Sequence, residues 1–406
     1  MTKQTNNSLG SVVGYDKQIR RLTEILNIVN HADRYETFDI ETPKSLLLYG
    51  EVDVGKTFMA RAFVDGCERN VFEITECCNS YKKLHKLFRE AKKYAPSVIF
   101  ADEIDSSPED MIASLAEEMA SVNGRDVFLV ATFDTDEKHS LSDVWSLNFY
   151  YRLEITDADF DDSCKIIDAL LNGKKLAPDF NRKDLYYFAQ YRTAAKFEKA
   201  CNSAALIAAS EGSEFITTEH FVKAFTEIDE KFLATQFYNV TAHHEAGHAA
   251  VNMLMGGIPA YIIMFDNDAG EFLSKRETFD GALEDKIREY VTGLGGKASE
   301  EVMLNSCSTG SYTDLKETFK LIEADLSKLA TAGFEYYNSP VRVSVDGNDR
   351  LVAKVQQQLT EYYNKAKSLI EQNRALVLSI VEKLKDKHYL LHGELTQIYA
   401  EYLKTK

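Results

Sequence analysis

The sequence predicts a multidomain protein of α/β plus α class: an α/β domain with a mostly parallel sheet, a helical lid, and a mainly helical domain. Three observations support this prediction. A length of 406 residues is enough for two to four domains of about 100–200 residues each. Short apolar runs alternate with helical patterns in the first part of the chain, and helical patterns dominate the remainder. We place the domains at residues 1–155, 156–232 and 233–406.

Composition excludes several classes of protein. Hydrophobic residues make up 45% and charged residues 27% of the chain, which is typical of a globular protein and not of a disordered one. The formal net charge of −17 repels phosphates, so we expect no nucleic-acid partner. Six cysteines without a CxxC pair indicate reduced thiols. No secretory signal or membrane span is visible, so we expect a soluble, cytoplasmic protein without direct membrane insertion.

Apolar runs in the first domain predict the strands of its sheet. They are SLLLY (45–49), VFEIT (71–75), SVIFA (97–101), DVFLVAT (126–132) and YYRLEI (150–155). Helical patterns between 156 and 230 predict the lid. In the last domain an apolar stripe at helical spacing runs from Leu351 to Leu384, which indicates buried helices.

The first chemical motif is GEVDVGKT at 50–57, which matches the P-loop pattern G-x-x-x-x-G-K-[ST] between a predicted strand and a helical pattern. Its two glycines allow backbone N–H groups to turn towards phosphate oxygens. Lys56 would reach the β- and γ-phosphates, and Thr57 would hold Mg²⁺. Glu51 and Asp53 would oppose phosphate binding, so we expect both side chains to point away. The predicted residues for binding ATP with Mg²⁺ are Gly50, Asp53, Val54, Gly55, Lys56, Thr57, Phe58 and Asp102.

A pair of acids follows the third predicted strand and would complete the nucleotide site. Asp102 is expected to hold Mg²⁺, and Glu103 to orient or deprotonate an attacking water. Either motif alone could be a chance loop or a surface acid pair. Both motifs, in this order and on strands, indicate an ATP-binding P-loop domain.

The second chemical motif is H-E-x-x-H, formed by His244, Glu245 and His248. Residues i and i+4 lie on one face of a helix, so the two histidines can hold one zinc ion. Zinc makes hydroxide available near neutral pH, and Glu245 can accept the proton, which would give peptide hydrolysis. The alternative is a helix with two surface or capping histidines. A catalytic zinc also needs a third ligand, which spacing alone does not select.

Together these residues resemble the FtsH family of ATP-dependent zinc metalloproteases, in which an AAA+ module is fused to a helical peptidase. The resemblance begins at VVGYDKQIRRL (12–22) and covers nearly all of the chain. TAHHEAGHAAV (241–251) is similar to the family's zinc helix, and LGGKASEEVM (294–303) to a second family segment, with Lys297 in place of the usual Arg. STGSYTDL (308–315) is similar to the segment that supplies the third zinc ligand, which implies Asp314. The resemblance also implies a hexameric homo-oligomeric ring that acts on polypeptides.

The chain departs from the family where ATP hydrolysis is coupled to pulling on a substrate. It shows no transmembrane helices, and the aromatic pore loop is replaced by a stretch near Glu76, Cys77 and Cys78. The usual sensor Asn falls on Phe133. Of the family's arginine segment only Arg152 remains, and Ser146 and Phe149 stand at the positions of the two trans-acting arginines. Because arginine fingers accelerate hydrolysis strongly, we predict a working zinc peptidase with a weak or uncoupled ATPase.

Two alternatives remain open. The chain could be a non-proteolytic AAA+ remodelling or binding module with a structural zinc, or a subunit of mixed rings with a membrane-anchored, full-length relative. Glu245 favours the peptidase, because a structural zinc site needs no general base beside it.

Overall fold

The structure is a computed structural model, and it describes residues 9–32, 34, 42–74, 80–106, 109–135, 149–190, 192–275, 283–332 and 345–406. Contacts divide the chain into two compact units. Unit 1 comprises residues 1–173 and 192–199, and unit 2 comprises residues 174–191 and 200–406. The three domain boundaries drawn from the sequence remain a prediction.

Unit 1 is built around a parallel sheet of five strands in the order β2-β3-β4-β1-β5. The strands are β1 (Ser45–Gly50), β2 (Asn70–Ile74), β3 (Ser97–Ala101), β4 (Val127–Asp134) and β5 (Tyr151–Glu154). Each strand coincides with one of the apolar runs to within two residues at either end. The prediction of a mostly parallel α/β sheet is therefore confirmed.

Helices cover both faces of this sheet: α1 (Asp16–Asn30), α2 (Lys56–Gly66), α3 (Tyr81–Lys93), α4 (Glu109–Ala120) and α5 (Phe160–Leu171). Side chains alternate between the two faces of a strand. Phe128 and Val130 of β4 therefore pack on the same side as α2, whereas Leu129, Ala131 and Phe133 pack on the side of α3 and α4. Apolar residues are buried on both faces, as a parallel sheet requires.

Unit 2 is mainly helical. Its helices are α6 (Arg182–Ala189), α7 (Ala194–Ser210, which also extends into unit 1), α8 (Thr218–Ile228), α9 (Asn239–Leu254), α10 (Leu283–Gly293), α11 (Gly295–Ser299), α12 (Ser311–Ser327), α13 (Val345–Gln372), α14 (Arg374–Lys387) and α15 (His392–Thr405). A π-helical turn at Glu300–Leu304 follows α11. The predicted apolar stripe lies on α13 and α14 and is buried in the core of the unit. Within the described ranges, no helix is both long and apolar enough to cross a bilayer.

Unit 2 also contains a small antiparallel sheet that the sequence analysis did not predict. It consists of β6 (Pro259–Met264), β7 (Gly270–Ser274) and β8 (Tyr389–Leu391), in the order β7-β6-β8. All six residues of β6 are buried, so the strand shows no alternation of apolar and polar residues. A continuous apolar run of this kind does not separate a strand from a buried helix.

Candidate metal centre and nucleotide site

Helix α9 carries the H-E-x-x-H motif in the interior of unit 2. Every residue of this helix from Ala242 to Met253 is buried. Small residues make this burial possible, since a Cβ atom on Gly247 would collide with the backbone carbonyl of Gly295 at the start of α11. Glycine at position 247 therefore allows α9 and α11 to pack closely.

The two histidines of α9 meet Asp314, which lies in the first turn of α12. The Asp314 Oδ2 atom lies 2.9 Å from Nε2 of His244 and 3.4 Å from Nε2 of His248, and the two Nε2 atoms are 3.1 Å apart. These three side chains can each offer a ligand atom, and all three atoms lie within 4.8 Å of one another. The structure thus brings together the three residues that the sequence analysis proposed as metal ligands.

In both histidine rings, the Nδ1 atom lies next to a hydrogen-bond acceptor. This acceptor decides the tautomer of the neutral ring. The Nδ1–H of His244 donates to Glu300 Oε1 at 2.6 Å, and that of His248 donates to the carbonyl oxygen of Thr292 at 2.7 Å. When both rings are neutral, their Nε2 atoms would therefore direct lone pairs towards each other and towards the Asp314 carboxylate. Three converging acceptors repel one another unless a cation lies between them, and second-layer acceptors of this kind are typical of histidines that bind metals.

The space between the ligands fits a metal ion. A Cβ atom on Gly296 would lie 2.5 Å from Nε2 of both histidines, so glycine at this position keeps the space free. Two imidazoles and one carboxylate are a donor set that zinc accepts in catalytic sites, where the remaining position is open to water. The residues present therefore fit zinc.

The pKa values of His244 and Asp314 also indicate that the site favours a positive charge. Burial opposes protonation of His244, but the hydrogen bonds to Asp314 and Glu300 raise its pKa to about 10. Burial would raise the pKa of Asp314, but its hydrogen bonds with His244 and His248 lower it below the usual range of an aspartate. The carboxylates that attract a proton in this way would also stabilise a bound cation.

Glu300 is a further candidate site residue, to which the sequence analysis assigned no role. It is fully buried and accepts hydrogen bonds from the backbone N–H and the hydroxyl of Ser308 as well as from His244. Burial would raise its pKa, but the hydrogen bonds from His244 and Ser308 lower it, so Glu300 stays ionised. Its separation from His244 is 56 positions in the chain, so no spacing rule could have connected them.

Glu245 lies beside the three candidate metal ligands, against strand β7. A Cβ atom on Gly270 would lie 2.6 Å from Glu245 Cγ, so the glycine makes room for this side chain. Burial raises the pKa of Glu245, while His248 and His244 lower it, and the net shift is upward. A carboxylate with a raised pKa is suited to accept a proton from water.

A cavity of about 560 Å³ opens at the candidate metal centre. It is lined by His244, Glu245, His248 and Asp314 and by neighbouring polar and apolar residues of unit 2. Among the described residues, none forms a hydrogen bond with Asn252 Oδ1, Thr292 Oγ1 or Glu289 Oε2, three buried atoms of residues in this lining. A volume of this size is typical of ligand-binding clefts.

The P-loop lies in unit 1, between β1 and α2. Gly50 and Gly55 have φ angles of 150° and 94°, which glycine adopts without strain. Lys56 begins α2, and its Nζ lies 2.7 Å from Asp134 Oδ1 and donates to the carbonyl oxygen of Glu51. The Glu51 and Asp53 side chains are exposed, Val54 is buried, and Phe58 is exposed.

Asp102 and Glu103 follow β3 and meet the P-loop helix. Asp102 Oδ1 accepts hydrogen bonds from the hydroxyls of Thr57 at 2.9 Å and Thr132 at 2.7 Å. The backbone N–H of Glu103 donates to the Thr132 hydroxyl at 2.7 Å. Burial and the neighbouring acids, first among them Asp102, raise the pKa of Glu103. The groups expected to hold Mg²⁺ and to activate water are therefore adjacent to the P-loop, and the arrangement fits a bound nucleotide.

The remaining positions singled out in the sequence have different outcomes. Phe133 is 1% exposed and packs against the face of the sheet opposite α2. Phe149 is buried, and Arg152 lies on β5. Glu76, Cys77, Cys78 and Ser146 lie outside the described residues.

Comparison with known proteins adds two findings. Residues 46–141 match the family described as "ATPase family associated with various cellular activities (AAA)". Along 98% of its length the chain is similar to proteins named ATP-dependent zinc metalloprotease FtsH: it is 25% identical to the Streptobacillus moniliformis protein and 24% identical to that of Leptotrichia buccalis. It is also 25% identical, over 98% of its length, to FtsH 2 of a Thermoanaerobacter species. The chain spans 65%, 58% and 84% of the lengths of these three relatives, respectively.

Proposed function

We propose that this chain is a zinc metalloendopeptidase acting on unfolded or loosely folded polypeptides. It carries an AAA domain and is a divergent relative of the FtsH proteins. One observation carries the proposal. His244, His248 and Asp314 converge on one point while the buried carboxylate of Glu245 lies beside them. A general base next to an open metal site supports catalysis over a purely structural role.

The residues of the site have separate tasks in this proposal. His244, His248 and Asp314 would hold zinc, which when bound lowers the pKa of water and polarises a peptide carbonyl group. Glu245 takes the proton from the attacking water and returns it to the leaving amine. Glu300 keeps the His244 ring oriented through its hydrogen bond to Nδ1.

ATP with Mg²⁺ is the second cofactor of the proposal. The P-loop, Lys56 and Thr57 would hold the phosphates and the ion together with Asp102. Two features support a weak or uncoupled ATPase. Phe133 is buried away from α2, and Lys56 is already paired with Asp134.

The assembly belongs to the same proposal. The proposed partners are polypeptide substrates and further copies of the chain in a hexameric ring. A mixed ring with a membrane-anchored relative would let a neighbour supply the missing arginines. A cytoplasmic location stays a prediction from the cysteine content.

The test is degradation of an unfolded, fluorescently labelled protein by the purified chain loaded with Zn²⁺, with and without ATP. We expect cleavage under both conditions. Glu245→Gln should lower the rate by about 10²–10⁴-fold, because it removes the general base while leaving the metal ligands in place. The zinc content of the variant should equal that of the wild type.

A charge control comes from the same cavity. Glu317 lines it but is exposed, so Glu317→Gln should retain most of the activity. Cleavage that requires ATP would show that the ATPase is coupled to the peptidase. No cleavage by a zinc-loaded chain would instead favour the non-proteolytic module.

A further inference from the structure

Strand β4 ends in a side chain that faces the P-loop. Phe128 and Val130 of this strand pack on the side of α2, and Phe133 packs on the opposite side. Because side chains alternate along a strand, the next residue, Asp134, returns to the side of α2. In the register of the sheet, Asp134 pairs with Gly50, the first residue of the P-loop.

Asp134 is held against the lysine of the P-loop. Its Oδ1 atom lies 2.7 Å from Lys56 Nζ, and the two side chains are 23% and 4% exposed. The Asp134 backbone N–H donates to Asp105 Oδ1 at 2.9 Å, and the next N–H donates to the Gly50 carbonyl oxygen, also at 2.9 Å. These bonds hold the backbone of Asp134 in place, so separating the two charges requires rotation of the Asp134 or the Lys56 side chain.

This pairing changes the charge that a nucleotide meets. The lysine of a P-loop binds the β- and γ-phosphates, and here a carboxylate already neutralises it. The Asp102 carboxylate adds negative charge at the same end of the sheet, offset in part by Arg61, whose Nη2 atom lies 3.7 Å from Asp102 Oδ2. A triphosphate would have to displace Asp134 or lie next to it, whereas a diphosphate brings one phosphate fewer to Lys56.

We propose that Asp134 takes the place of a terminal phosphate at Lys56, so that the site holds a nucleoside diphosphate more tightly than a triphosphate. The inference deepens the proposed nucleotide site and rests on it, but it does not depend on the activity of the peptidase. The bound nucleotide would then serve as a structural ligand more than as a source of energy through hydrolysis.

The experiment is calorimetric titration of the full chain, in the presence of Mg²⁺, with ADP and with the non-hydrolysable ATP analogue AMP-PNP. We expect the affinity for ADP to exceed the affinity for AMP-PNP by roughly tenfold or more. This is a conservative figure, because two charges about 4 Å apart near a protein surface interact by more than the free energy that corresponds to tenfold. Asp134→Asn should tighten AMP-PNP binding by roughly tenfold and change ADP binding less.

A matched control lies next to the same strand. Asp126 is exposed and directly precedes β4, at the end of the strand away from the P-loop. Asp126→Asn removes the same charge and should leave both affinities unchanged. Binding of ADP to Asp134→Asn also shows that the variant is folded.

Three results would overturn the inference: equal or tighter binding of AMP-PNP by the wild type, an unchanged ratio in Asp134→Asn, or no binding of ADP to the wild type. Zinc-dependent proteolysis is measured separately. Cleavage together with any of these results would reject the diphosphate preference and leave the proposed peptidase standing.

Discussion

The two ring nitrogens of His244 have different partners, and this difference decides what the side chain can bind. Nδ1 donates to the buried carboxylate of Glu300, and Nε2 faces His248 and Asp314. The hydrogen bonds from Ser308 and His244 hold Glu300 ionised. Its negative charge makes the imidazole a stronger electron donor at Nε2.

Glu300→Gln should therefore weaken zinc binding by about 10–100-fold without unfolding the chain. The amide has nearly the same size but no charge, so the ring would be held less firmly in the required tautomer. Competition with a fluorescent chelator measures the affinity. Glu301→Gln is the control, because that neighbouring carboxylate contacts Lys367 and Tyr363 instead. Equal zinc affinity in both variants would show that Glu300 does not support the site.

Single residues of the two sites differed in how well the sequence predicted them. His244 and His248 follow from helical spacing alone, because local geometry brings them to one face. Asp314 was reached only through the family resemblance. Glu300 and Asp134 were missed, since each acts on a residue more than 50 positions away in the chain. Contacts of that kind depend on how helices and strands pack, which a single sequence does not display.

At the scale of one element, helix α9 shows how small side chains position the metal ligands. Gly247 lies between His244 and His248, on the side that faces α11. A Cβ atom at this position would meet the Gly295 carbonyl oxygen and the Cβ of Ser299. Neither is the end of a flexible side chain, so the two helices would have to separate.

Gly247→Ala should lower the free energy of unfolding by about 1–3 kcal/mol, although alanine is the better helix former. The expected loss comes from overpacking between α9 and α11, and it should be accompanied by weaker zinc binding. Urea unfolding of the zinc-free chain measures the stability.

The control for this substitution is Gly310→Ala. Gly310 has an ordinary helical φ of −56°, and its added Cβ would meet only the Ser308 hydroxyl, at 3.3 Å. We expect a change within about 0.5 kcal/mol. If both variants unfold at the same urea concentration, close approach of the helices is not what requires glycine at 247.

Long elements with a clear pattern were predicted well. The three central strands of the parallel sheet, β1, β3 and β4, are almost entirely buried, so their apolar runs are distinct, and β3 coincides with its run at both ends. The antiparallel sheet of unit 2 was not predicted. Its third strand, β8, has only three residues and pairs with β6 more than 120 positions earlier in the chain. Such a strand forms because of its partner, which no local pattern reveals.

At the scale of the whole molecule, each compact unit contains the residues proposed to bind one ligand. The P-loop, Asp102, Glu103 and Asp134 lie in unit 1. The zinc ligands, Glu245 and Glu300 lie in unit 2, where α9 and α12 bring together residues 70 positions apart. Binding of each ligand should therefore stabilise the unit that holds it.

Removal of zinc should consequently lower the midpoint temperature of only one of two thermal unfolding transitions. At a free zinc concentration about 1,000 times the dissociation constant, binding stabilises the native state by roughly 4 kcal/mol. For a unit of about 200 residues this corresponds to a shift of about 10 °C. Differential scanning calorimetry, with and without a chelator, measures the shift. The transition that ADP raises should stay in place, and in His244→Ala the chelator should have little effect. A single transition that responds to both ligands would contradict this prediction, because it would mean that the two units unfold as one.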